Sequence, residues 1–134
     1  MPKALLALVA AALATTACAS AVSKTTGDRA KLDYREYAGE PVDRFTAFHI
    51  DSWTPVSRNQ LVVWTGISDA YLLTVWDNCD NLQFADRVAV RKTGFSVSKL
   101  DSVQVAGQRC PIQEIRPVDI KRMKLDRAAQ RAKT

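Results

Sequence analysis

Gln60-Leu61-Val62-Val63-Trp64-Thr65-Gly66-Ile67-Ser68-Asp69-Ala70-Tyr71-Leu72-Leu73-Thr74-Val75-Trp76 is the stretch on which the fold turns. Two runs of β-branched and aromatic residues, Gln60 to Thr65 and Ala70 to Trp76, flank the turn residues Gly66 to Asp69, and this order reads as a hairpin. Leu61-Val62-Val63-Trp64 and Tyr71-Leu72-Leu73 are apolar without alternation. Successive strand side chains point to opposite faces, so both runs are expected to be covered on both sides and to pair at the centre of a sheet.

Further strands are expected at Arg44 to Ile50, Arg87 to Lys92, Phe95 to Lys99, Ser102 to Ala106 and Ile112 to Ile115, with turn residues at Thr54-Pro55, Ser57-Arg58-Asn59, Thr93-Gly94 and Gly107-Gln108 between them. Connections this short suit antiparallel pairing and leave no room for crossover helices. Asp28 to Ala38, stopped by Gly39 and Pro41, reads as a short helix, and Val118 to Ala132 is a run of helix formers. The expected fold class is α+β. An antiparallel β meander of six or seven short strands, with a partly closed barrel as its variant, is flanked by an N-terminal and a C-terminal helix. The 134 residues, 47% hydrophobic with 5 Gly and 5 Pro, suit one such domain and exclude collagen-like and disordered classes.

The chain opens as an address. Lys3, the apolar run Ala4 to Ala14 and the small residues Thr15 to Ala19 follow the order of an export signal. As a helix, 11 residues rise only about 16 Å, short of the roughly 30 Å of a bilayer core. Residues 1–17 are therefore expected to be removed, 18–27 to form a flexible tether, 28–117 the β-rich domain with its leading helix, and 118–134 a basic helix or tail. Thr15-Thr16-Ala17-Cys18 resembles a lipobox that would lipidate Cys18, with Thr15 where Leu is usual, while Ala17-Cys18-Ala19 also fits cleavage after Ala19. Lipidation is the favoured reading, because the signal is short and the following segment looks like a tether. The expected location is the periplasm, at the outer membrane, since Ala19 and Ser20 follow without Asp.

Either cut leaves Cys79 and Cys110 as a pair in an oxidising compartment, and a disulfide between them is expected. A zinc site lacks ligands, with one histidine in the chain. Asp77-Asn78-Cys79-Asp80-Asn81 begins like a calcium loop but has Leu82 and Val88 where glycine and an acid belong, so no metal and no cofactor are expected. These residues read instead as caps of a short turn through Leu82 to Ala85. His49 is expected to be poorly oriented by Asp51, on the ground that adjacent strand residues diverge, and no catalytic residue is assigned. Among Trp53, Trp64, Trp76 and Tyr71, core packing is expected, with Trp53, before Thr54-Pro55, the exposed and ligand-facing candidate.

Charge is unevenly placed. Residues 116–134 hold seven basic and two acidic side chains, +5, whereas residues 18–115 hold eleven basic and twelve acidic, −1. Lys121, Arg122, Lys124, Arg127, Arg131 and Lys133 are the candidate contacts to an anionic surface. The rival reading packs the helix on the sheet through Val118, Leu125 and Ala129 with its charges in water. Export, and the absence of aromatics among the basic residues, argue against nucleic acid.

Gly39-Glu40-Pro41-Val42-Asp43, Trp53-Thr54-Pro55, Trp64-Thr65, Ala70-Tyr71-Leu72-Leu73, Cys79, Leu82 with Phe84-Ala85, Cys110 and Ile115-Arg116-Pro117 together resemble a family of small uncharacterised proteobacterial lipoproteins known only as a domain of unknown function. The resemblance spans about residues 36–120. It implies an envelope protein of the Gram-negative type and carries over no catalytic residues. The expected function is a non-enzymatic, exported envelope module that binds a partner, either an anionic component or another envelope protein. The alternative is a small periplasmic hydrolase or lyase whose site the sequence does not display.

Overall fold

The computed structural model describes residues 23–24, 32–76, 79 and 82–133. Strands are β1 (Ser23–Lys24), β2 (Arg44–Thr46), β3 (Ser52–Ser57), β4 (Gln60–Trp64), β5 (Ala70–Val75), β6 (Val88–Arg91), β7 (Ser96–Ser98), β8 (Ser102–Val105) and β9 (Gln108–Val118); the helix α1 is Ile120–Ala132, and 3-10 turns lie at Tyr34–Tyr37 and Leu82–Phe84. The signal segment, Cys18, and Asp77, Asn78, Asp80 and Asn81 lie outside the described residues.

The hairpin forms as read. Leu61 pairs with Leu73, Val62 with Leu72, Val63 with Tyr71 and Trp64 with Ala70, and the Thr65 N–H closes the loop on the Asp69 carbonyl at 2.9 Å. The larger sheet runs β1-β3-β4-β5-β9-β8-β6 and β2 pairs with β7 in a second, small sheet. Pairing is antiparallel except for the two residues of β1 on β3, and the sheet curls into a half-barrel with α1 beside it, so the α+β expectation holds.

Strand alternation divides the apolar residues into two cores. Leu61, Val63, Leu73, Val75 and Ile115 face a core that also holds Trp53, Val97, Val103 and the cysteines. Val62, Trp64, Ala70, Leu72 and Val118 face the opposite way, against Tyr34, Ile120 and Met123. The disulfide joins Cys79 to Cys110 across a Cα separation of 5.8 Å, within the usual range. It ties the segment after β5 to the start of β9, both ends buried.

Four elements differ from the sequence reading. The strand expected from Arg44 to Ile50 ends at Thr46, so His49 lies beyond it. Thr54-Pro55 lies inside β3 rather than in a turn, and Pro55 sits where the register shifts, a bulge position that tolerates a missing N–H. Trp53 is consequently strand-borne and fully buried, not exposed. Trp76, at the end of β5, is the exposed tryptophan. β9 runs through Pro111 and Pro117 and serves two neighbours, β8 with Gln108 to Pro111 and β5 with Ile112 to Val118. Of the expected leading helix, the described part holds only the 3-10 turn Tyr34–Tyr37, with Ala38 already bridged to Val118.

Candidate functional site

α1 begins where Asp119 leaves β9. The Asp119 carboxylate accepts from the Arg122 N–H at 3.0 Å, capping the first turn, and its own N–H donates to the Tyr37 carbonyl at 2.8 Å. Ile120 and Met123, three residues apart and so on one helix face, are the buried residues of the helix. Leu125 is 71% exposed and Ala129 is exposed, so the packing expected of them is corrected. At 100° per residue Leu125 and Ala129 fall opposite the Ile120 and Met123 stripe.

Polar contacts fix the root of α1 on two sides. The Arg122 guanidinium lies 4.8 Å from the centre of the Tyr37 ring and donates to the Glu36 carbonyl at 3.0 Å. Lys124 donates to the Ile67 carbonyl at 3.3 Å on the β4–β5 loop. The Tyr37 hydroxyl donates to Asp126 at 2.8 Å, and this bond to a carboxylate, chiefly, holds the phenol above its ordinary pKa. Beyond Arg127, which is half-buried, every residue from Ala128 to Lys133 is exposed. Lys121, Arg122 and Lys124 near the start of α1 and Arg131 and Lys133 near its end are all exposed.

Elsewhere the structure brings together groups that the sequence did not. His49 Nε2 lies 2.9 Å from Asp51 Oδ1, which corrects the expectation that Asp51 is badly placed. Residues two apart in extended chain share a side, and the segment 47–51 lies outside the strands. Phe48 and Phe95, both exposed, approach to 5.2 Å between ring centres. Lys92 reaches the same segment. None of these three was singled out from sequence, because the β2–β7 pairing that assembles them joins residues about fifty apart. Tyr71, half-buried and stacked on Phe45 at 3.9 Å, has its phenol pushed above the ordinary value by burial, with Asp69 adding to it.

Among the described residues no group of three or more His, Cys, Asp or Glu side chains is placed to hold a metal ion, and no helix is long and apolar enough to cross a membrane. No curated protein and no solved structure matches the chain. A family model does match, over residues 1–134, and the chain belongs to the family of unknown function DUF6491.

Proposed function

We propose that this chain is a non-enzymatic, exported envelope lipoprotein, anchored through Cys18 at the outer membrane, whose basic helix α1 lies against an anionic surface. The observation that carries this reading is the way α1 is held: two buried apolar residues and a few polar contacts fix its root, and its exposed length carries an excess of positive charge.

Magnitudes decide what such a surface does. Lys121 and Lys133, both exposed, at about 1 kcal/mol each near anionic lipid give about 2 kcal/mol, a dissociation constant on the order of 30 mM. Charge alone therefore orients the domain and does not hold it. A lipobox cysteine carries a diacylglyceryl group, and two chains suffice for stable attachment. The basic helix at the other end of the chain then sets how the domain lies.

The test is co-sedimentation of the mature chain with vesicles, comparing wild type with Lys121→Glu/Lys133→Glu. Wild type is expected to bind vesicles rich in phosphatidylglycerol more tightly than neutral ones, the difference to shrink as salt rises, and the double variant to lose it. Equal binding to neutral vesicles, or insensitivity to both changes, would overturn the surface role. Membrane partitioning of Cys18→Ser in cells tests the anchor separately, and a free amino terminus at Ser20 in the wild type would refute it.

A further inference from the structure

The end of β2 carries a second surface that owes nothing to α1. Phe48 is 71% and Phe95 64% exposed, and their rings meet at 44°. They are held there firmly: the Ala47 N–H donates to the Phe95 carbonyl at 2.7 Å, and Lys92 donates to both the Ala47 carbonyl at 2.8 Å and the Phe48 carbonyl at 2.7 Å. An ammonium bonded to two successive carbonyls fixes a segment that has no strand partner to do so. Ordering a contact surface before its ligand arrives lowers the entropy lost on binding.

Beside Phe48 opens a shallow cleft of about 220 Å³, lined by Thr46, His49, Thr65, Asp69 and Tyr71. The cleft is smaller than the roughly 300 Å³ at which drug-sized sites begin, and suits a single ring. His49 spends Nε2 on Asp51 at 2.9 Å, which sets the tautomer and leaves Nδ1 as an acceptor when the ring is neutral. Thr46 and Thr65 offer hydroxyls, Asp69 a carboxylate and Tyr71 a phenol.

The chemistry of the ligand follows by comparing classes. An anion meets Asp69. A cation would meet Asp69 with its charge offset by the Lys92 ammonium, which lies outside the lining and is bonded to the Phe48 carbonyl at 2.7 Å. An apolar peptide side chain would strand the polar lining without hydrogen-bond partners. A pyranose ring has an apolar C–H face that suits the negative face of an aromatic ring, and a rim of neutral hydroxyls that both donate and accept. We propose that the Phe48–Phe95 pair and the adjoining His49 cleft form a binding site for a neutral glycan, one sugar ring resting on Phe48 with its hydroxyls directed into the cleft.

The experiment is an amide chemical-shift titration of the folded chain with three neutral probes, chitotetraose, cellotetraose and maltotetraose, each to about 10 mM, since one stacked ring gives affinity on the order of 1 mM. At least one probe is expected to shift amides at 46–49, 65–71 and 95 and no others. Phe48→Ala should weaken that probe about tenfold, matching one aromatic contact, and His49→Ala should weaken it as well. Phe84→Ala removes an equally exposed ring remote from the cleft and should leave binding unchanged. Each variant truncates an exposed side chain, and its own amide spectrum checks that the fold is kept. The proposal is overturned if none of the three probes gives localised shifts, if the shifts lie elsewhere, or if Phe84→Ala weakens binding as much as Phe48→Ala.

Discussion

Removing the Cys79–Cys110 bridge should cost about a quarter to three-quarters of a small domain's stability margin. The two cysteines are 31 apart in sequence, and the chain-entropy relation gives about 3.7 kcal/mol for a loop of that size at 25 °C. Domains of this kind are stable by roughly 5 to 15 kcal/mol. Cys79 and Cys110 are both buried in the first core, beside β8 and β9, so the closed loop contains β6, β7 and β8. Urea unfolding of Cys79→Ala, Cys110→Ala and the double variant measures the effect. Each single variant is expected to lose about the same amount, and the double variant little more, giving a coupling of roughly 3 to 4 kcal/mol between the sites. Reductant should shift wild type and leave the variants in place. Additive single losses, or a wild type indifferent to reductant, would refute the reasoning.

Three further outcomes follow from local geometry. Trp64 Nε1 donates to Thr54 Oγ1 at 3.2 Å in buried surroundings, so Thr54→Val removes the acceptor of a buried hydrogen bond and should cost about 1 to 3 kcal/mol in urea unfolding. Ala106 and Gly107 have φ of 49° and 82° in the two-residue β8–β9 turn, a conformation that costs a residue with a Cβ roughly 1 kcal/mol; Ala106→Gly should raise the unfolding midpoint. Burial and Asp69 raise the Tyr71 phenol above 10.0, so its contribution is fully present below pH 10 and is lost as pH climbs from there through the folded value. Unfolding measured against pH should show that alkaline decline, and Tyr71→Phe should make it shallower.

The central hairpin was legible because Leu61-Val62-Val63-Trp64 has no polar side to expose, and such a strand has one comfortable place in a sheet. The disulfide was legible for a simpler reason, the pairing of two cysteines. β3 was not, because Thr54-Pro55 is turn chemistry in isolation and is tolerated only by the bulge that the neighbouring strand creates. The same blindness to context hid the length of β9, whose two prolines lie within its pairing to β8 and β5, and exchanged the exposures of Trp53 and Trp76. α1 was found from its helix formers, but of the residues that the rival reading packs on the sheet only Val118 is buried; Leu125 and Ala129 face out, and Ile120 with Met123 reach the core. The Phe48–Phe95 pair needed tertiary pairing to exist at all, so neither the glycan site nor the role of Lys92 had any local signature.

Amide hydrogen exchange of the acylated chain, alone and bound to phosphatidylglycerol vesicles, tests the central claim most directly, since it reports each segment in the same sample. The last turns of α1, residues 128–133, have exposed side chains and should exchange quickly in solution. On anionic vesicles the account predicts slower exchange across α1, reversed by salt, with β4 and β5 unchanged. Unchanged exchange in α1 under conditions where the protein is vesicle-bound would contradict it.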